Sequence, residues 1–258
     1  MFAVITGASK GIGRCMAREL ASRKYNLILT ARSAAPLDEL KNELVNEFAI
    51  QCEIFPCDLS SHEAPDKLFK FCTSISNDIS VLINNAGYGL WGGFADLTIE
   101  EQLNMADLNN RSLVHLCHLF LPVLRKQQKS YILNVASTAS YQPVPYLGLY
   151  SATKAFVIMF SRALRVELKN TSVSVTVLSP GATDTFFMDR AGMTSESLRK
   201  NSKKFGMTPE EVATFGINAM LSGKNEVIPG FINKVGAVAA RLVPKSILEN
   251  AAASLYKP

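Results

Sequence analysis

The first thirteen residues restrict the fold more than any other stretch. Phe2-Ala-Val-Ile-Thr6 is a continuous apolar run, and it leads into Thr6-Gly7-Ala-Ser-Lys10-Gly11-Ile-Gly13 and then a helical pattern over 14–24. A short apolar run without alternation suits a strand buried on both faces of a parallel sheet. Glycines in the turn let the backbone approach a ligand, and the helix N-terminus offers free N–H groups and a positive dipole end. Strand, glycine-rich turn and helix together make a phosphate-binding arrangement. The spacing is Gly-x-x-x-Gly-x-Gly rather than Gly-x-Gly-x-x-Gly.

The alternation continues along the chain. Residues 26–30, 51–55, 79–83, 130–136, 172–178 and 227–229 read as strands, and 36–48, 64–76, 98–127 and 149–169 as helices. A further helix starts at Thr208-Pro209-Glu210-Glu211, with threonine as cap and proline in the first position. Asn109 and Asn110 are poor interior helix residues and mark a kink or a functional amide. The pattern predicts one doubly wound α/β domain over residues 1–258. Within it, residues 183–206 form a substrate loop or lid, with a basic patch at Arg199, Lys200, Lys203 and Lys204. Residues 233–258 form a weakly amphipathic tail broken by Pro244. Oligomer contact or core packing is the expectation for that tail, and membrane contact is not.

Composition excludes several classes. With 258 residues, 48% hydrophobic and 19% charged, the chain is globular rather than disordered. A net charge of +5 without a dense basic block is no nucleic-acid footprint. Five cysteines without Cys-x-x-Cys read as free thiols, and no His/Cys cluster has metal-ligand spacing. His115 and His118 read as satisfied core or interface residues, and His62 as a surface one. No run approaches the ~20 apolar residues that span a bilayer. With a strand at its start, the chain is expected to carry no signal peptide and to be cytoplasmic.

Chemistry gathers in the second half. Tyr150 and Lys154 stand four apart at the start of a helix and share one face. An ammonium beside a phenol favours the phenolate, so the tyrosine can exchange a proton with a substrate oxygen. Ser137, at the end of a strand, can reach that oxygen. Asn84-Asn85-Ala86-Gly87 follows the 79–83 strand, where open α/β sheets bind ligands. Past the 26–30 strand the chain reads Thr30-Ala-Arg32-Ser33, with no acid for a ribose 2′-hydroxyl. Arg32 and Lys10 instead suit a 2′-phosphate, which favours NADP(H). Asp58 either accepts from an adenine amino group or, like Ser60, caps the next helix. Ser179-Pro180-Gly181-Ala-Thr183-Asp-Thr185 carries hydroxyls for a nicotinamide carboxamide or a phosphate, or is ordinary turn chemistry.

In their order and spacing, Thr-Gly-x-x-x-Gly-x-Gly, Asn-Asn-Ala-Gly, Ser137, Tyr-x-x-x-Lys and Pro-Gly resemble the short-chain dehydrogenase/reductase family over essentially the whole chain. The resemblance implies a seven-stranded parallel sheet with helices on both faces. It implies Tyr150 as proton donor, Lys154 as its partner and a nicotinamide-ribose contact, Ser137 as the residue orienting the substrate oxygen, and Asn109 as holder of a water leading to Lys154. Gly7, Ser9, Gly11, Ile12 and Gly13 correspond to the pyrophosphate turn, and Asp58, Asn85, Ala86 and Gly87 to the adenosine side. Thr185 corresponds to a nicotinamide-side contact, and Pro180, Gly181 and Thr183 are further candidates for cofactor binding. Lys10 and Arg32 resemble NADP(H)-preferring members. Ala136 stands where many members have a second serine. A homodimer through the 98–127 and 149–169 helices, or a homotetramer built on it, is also implied.

The expected reaction is reversible carbonyl/alcohol oxidoreduction with NADP(H), Tyr150 protonating the developing alkoxide while Lys154 and the oxidised ring keep it acidic. Tyr141, Pro143, Val144, Tyr146, Leu147, Trp91 and Phe186 point to a bulky apolar ketone or aldehyde. The alternative is a non-catalytic NADP(H)-binding regulator or scaffold of the same fold.

Overall fold

A computed structural model of the chain describes residues 1–183, 187–196 and 206–257. Its strands are β1 (Phe2–Thr6), β2 (Asn26–Thr30), β3 (Cys52–Ile54), β4 (Ile79–Asn84), β5 (Ser130–Val135), β6 (Val173–Leu178) and β7 (Glu226–Val227). All pair in parallel, in the order β3-β2-β1-β4-β5-β6-β7. The helices are α1 (Gly11–Ser22), α2 (Ala34–Phe48), α3 (Ala64–Ile75), α4 (Ile99–Ala106), α5 (Leu113–Leu124), α6 (Gly148–Glu167), α7 (Phe187–Arg190), α8 (Pro209–Leu221), α9 (Phe231–Leu242) and α10 (Lys245–Tyr256).

β1 is buried along its whole length because alternate residues enter two cores. Ala3 and Ile5, with Leu27, Leu29, Val81 and Ile83, pack against Met16 and Leu20 of α1, Leu37 and Leu44 of α2, and Ile217 of α8. Phe2 and Val4, with Ile28, Leu82 and Ile132, pack against Leu68 of α3, Phe120 of α5 and Val157 of α6. β2 and β4 flank β1 on opposite sides, so strand order reverses there. A ligand crevice opens at such a reversal, beyond the carboxyl ends of the strands.

The predicted 98–127 helix is interrupted. Between α4 and α5 lies a π-helical segment, Asp107–Ser112, that contains both Asn109 and Asn110. Such segments insert an extra residue into a turn and re-aim a side chain. The Thr208 cap is present as a full capping box with Glu211.

Three pairs of alternatives left open by the sequence are narrowed. Neither Asp58 nor Ser60 caps α3, whose first turn follows Glu63. Asp58 Oδ1 instead accepts from the Ser60 N–H (3.0 Å) and hydroxyl (2.8 Å), a local turn that precedes the helix. His115 and His118 are not core residues: His118 is exposed, and half-buried His115 lies 3.4 Å from the Asp66 carboxylate. The tail does not bury its long apolar side chains. Pro244 separates α9 from α10, Ala237 and Ala252 face inward, and Phe231 (82%) and Leu242 (80%) lie exposed. All five cysteines are free. Among the described residues no His/Cys/Asp/Glu group suits a metal, and no helix is long and apolar enough to cross a membrane.

Candidate active site

The glycine turn is clamped to the end of β4. Gly7 has φ +65°, and a Cβ there would come within 2.9 Å of Ala86 Cα. A Cβ on Gly13 would run into the Gly7 carbonyl oxygen. Only glycine meets both demands. Thr6 Oγ1 accepts from the N–H groups of Asn85 (3.0 Å) and Ala86 (2.9 Å), and Asn85 Nδ2 donates to the Thr6 (3.0 Å) and Gly7 (3.1 Å) carbonyls. The Asn85 side chain therefore braces the turn. Thr6 had not been singled out from the sequence as a site residue, although the glycine motif begins on it.

α1 begins beyond exposed Lys10, with no side-chain cap and no acid in its first turn. Its leading N–H groups and dipole end, beside half-buried Ser9 and Ile12, suit an anion such as the pyrophosphate of a dinucleotide. Arg32 is exposed just past β2. Burial raises the Tyr88 phenol, Arg32 lowers it, and Asp58 and Glu101 raise it. Across the cleft, the Pro180 carbonyl accepts from the Thr138 N–H (2.8 Å), Gly181 packs on Asn233, and Thr183 Oγ1 donates to the Gly181 carbonyl (3.1 Å). Thr185 and Phe186 lie outside the described residues, as does the basic patch.

Ser137, Tyr150 and Lys154 do come together. Ser137 follows β5, and its hydroxyl caps a short 3-10 turn (Thr138–Tyr141) by accepting from the Ala139 N–H at 3.1 Å. The same hydroxyl lies near enough to the Tyr150 phenol to favour its ionised form. Lys154, 5% exposed, donates to the Val135 carbonyl at 2.9 Å and sits 6.0 Å from the Tyr150 ring centroid. Asn109 is buried beside it. Its Oδ1 accepts from the Tyr88 N–H (3.1 Å), and its Nδ2 donates to the Tyr88 carbonyl (3.0 Å) and Thr153 Oγ1 (3.0 Å). Thr153, not anticipated, passes the chain on to the Tyr150 carbonyl at 2.7 Å. Gly87 fits between Asn109 and Lys154.

The electrostatics differ from expectation. Burial pushes the Tyr150 phenol up to about 12; the Ser137 hydroxyl opposes this and Tyr256 adds to it. Burial also pulls Lys154 down to about 8. In the chain alone, desolvation dominates, and Tyr150 holds its proton at neutral pH.

An apolar cluster surrounds the phenol. Tyr88, Met105, Val144, Leu147, Ala191 and Met193 are buried with Tyr150, and Trp91, Phe187 and Tyr256 pack on them. The Phe187 ring, from α7 in the expected lid, stands 5.2 Å from that of Tyr150. Tyr141 does not join this cluster. Its hydroxyl reaches Ser179 Oγ (3.0 Å) and Glu226, and its ring packs on the opposite core. Pro143 is exposed.

Residues 1–195 match the sequence model of a family described as short chain dehydrogenase. The very-long-chain 3-oxoacyl-CoA reductase-B of Danio rerio is 31% identical over 256 residues, 96% of this chain and 77% of the relative. A short-chain dehydrogenase from Sphingobium yanoikuyae, solved with NADPH, superposes with TM-score 0.82 at 29% identity, covering 98% of this chain and 94% of that one. The bulky-bulky ketone specific alcohol dehydrogenase from Comamonas testosteroni superposes with TM-score 0.77 at 26% identity, covering 93% and 92%. The family match runs from the glycine turn through the helix of Tyr150 and Lys154, and the chain belongs to the short-chain dehydrogenase family of nicotinamide-dependent oxidoreductases.

Proposed function

We propose that this chain is an NADP(H)-dependent reductase, or in reverse a dehydrogenase, for apolar ketones or aldehydes. The observation that carries the reading is the Ser137–Tyr150 hydroxyl pair, facing an apolar cluster and backed by a buried Lys154 ammonium. A nicotinamide dinucleotide seated on the glycine turn supplies or accepts the hydride. The two hydroxyls converge on one substrate oxygen. Ser137 donates a hydrogen bond to it. Tyr150 hands over its proton as negative charge develops, because an alkoxide is a far stronger base than a phenolate. Lys154 then faces the phenolate and stabilises it. Asn109 holds Tyr88 and Thr153 in place, and through them the start of α6.

Lys10 and Arg32, with no acid over residues 30–33, support NADP(H) over NAD(H). Val144, Leu147, Trp91 and Phe187 support a bulky apolar substrate, in keeping with the reductase and ketone-specific relatives. The exposed side chains of Phe156 and Met159 on α6, beside the groove formed with His118 of α5, support a homodimer across these helices. The deciding measurement is the initial rate of NADPH and NADH oxidation over carbonyls graded in size and polarity. NADPH turnover with bulky apolar ketones is expected. Preference for NADH, or turnover of small polar carbonyls alone, would overturn the corresponding half. Silence with tight NADPH binding would favour the non-catalytic reading.

A further inference from the structure

The far end of the chain reaches the reaction centre. Trp91 Nε1 donates to the Tyr256 carbonyl at 2.7 Å, across 165 positions of sequence. The Tyr256 side chain packs on the cluster that contains Tyr88, Leu147 and Tyr150. Burial raises its phenol, and its presence raises that of Tyr150, so the two rings share one desolvated space. The Trp91 loop is itself tied to both walls of that space. The Trp91 N–H donates to the Ala191 carbonyl (2.9 Å) and the Gly92 N–H to the Tyr146 carbonyl (3.0 Å). Elsewhere α10 is weakly held: Ile247 and Leu255 are exposed, and Ala252 is its buried residue. Its last turn is thus positioned chiefly by this contact, not by a broad apolar face.

We propose that Tyr256 is a specificity-determining residue: Trp91 holds the end of α10 so that the Tyr256 side chain closes the apolar pocket beside Tyr150 and limits the size of the group carried by the carbonyl. This rests on the oxidoreductase reading above. A ring at the end of a closed apolar pocket excludes substituents that would have to occupy its volume. Replacing it with a methyl group opens that volume to the substrate, and discrimination in such pockets spans roughly 10–200-fold.

The test uses the full-length chain and Tyr256→Ala, Tyr256→Phe and Trp91→Phe. Tyr256→Ala and Trp91→Phe are expected to raise kcat/KM for a bulky aryl ketone relative to a small one by about 10-fold or more. Tyr256→Phe, which keeps the ring, is expected to stay within about twofold of wild type. Because Trp91 is the one tryptophan, acrylamide quenching of its fluorescence reads the contact without turnover. Quenching is expected to increase in Tyr256→Ala. Because Tyr256→Ala keeps the backbone carbonyl that Trp91 bonds, unchanged quenching would show that the Tyr256 ring does not cover the space beside Trp91, and would overturn the specificity role. Increased quenching with an unchanged ketone ratio would show that Tyr256 only anchors the helix, and would overturn the specificity role. If the wild-type chain turns over no ketone, the oxidoreductase reading fails separately. Calorimetric binding of the bulky ketone to the NADPH complex then decides the inference: tighter binding by Tyr256→Ala supports it, and equal binding overturns it.

Discussion

At the scale of single residues, Tyr150 and Lys154 show that burial, not pairing, dominates the isolated site. With its phenol pushed up to about 12, Tyr150 is fully protonated at neutral pH and ready to donate. Tyr150→Phe removes that proton and leaves the ring packing intact. Turnover should fall by about 100-fold or more, the range for loss of a general acid, while NADPH affinity measured by fluorescence titration changes little. Lys154 makes a separate claim on stability. Its pKa falls from 10.5 to about 8 on folding, so between these values the unfolded chain binds more protons and stability rises with pH. Below about pH 8 the buried ammonium costs about 3 kcal/mol, offset by about 1 from its bond to the Val135 carbonyl. Lys154→Met should therefore raise stability at pH 7 by about 2 kcal/mol, and that advantage over the wild type should shrink from pH 8 to about 10, on a background common to both chains in which the buried and half-buried cysteines, raised from 9.0, lower stability as pH rises. Denaturant titrations at a series of pH values will show whether the two curves converge.

At the scale of elements, the π-helical segment between α4 and α5 is held by the side chains of Asn109, Asn110 and Arg111. Asn109 spends both ends of its amide on Tyr88 and Thr153, joining the loop after β4 to the start of α6. Asn109→Ala leaves the Tyr88 backbone groups and the Thr153 hydroxyl without this partner in a buried place. The expected cost is about 2–4 kcal/mol, seen as a lower urea midpoint with an unchanged slope, together with a loss of turnover. A loss of turnover with an unchanged midpoint would show that the amide acts on the reaction alone. The glycine turn follows the same logic, with Thr6 and Asn85 tying the first strand to the fourth. The Asn85 amide meets the Thr6 and Gly7 carbonyls, and the Thr6 hydroxyl meets the Asn85 and Ala86 N–H groups, so four backbone groups find partners there.

At the scale of the whole molecule, α5 and α6 leave Phe156 and Met159 exposed on one side of the sheet. In a two-fold dimer each copy covers the other's patch. Sedimentation velocity of the wild type should show a dimer, and Met159→Glu should shift it toward monomer, since a carboxylate buried without a partner is costly. In the NADP(H) reading proposed above, cofactor choice rests on two elements, with Lys10 preceding α1 and Arg32 following β2. Arg32→Asp should reduce NADPH preference by about 10-fold or more in competing kcat/KM values, by removing a bidentate phosphate partner and adding a like charge.

Much of the fold was readable directly. Unbroken apolar runs, helical periods, the glycine spacing, the Thr208–Glu211 cap and the four-residue step from Tyr150 to Lys154 are local patterns, and backbone geometry turns such patterns into strands, turns and helices with little help. The sequence by itself therefore determined the parallel α/β sheet and the strand ends and helix start that carry Ser137, Tyr150 and Lys154. Tertiary structure alone decided that Thr6 clamps Asn85, that Asn109 meets Thr153, that Tyr141 turns away toward Glu226 and that Tyr256 comes back to Trp91. Those pairs lie 44 to 165 positions apart, and no local pattern marks them. They form because folding buries polar groups that must find partners, and only the packed chain determines which partners are within reach.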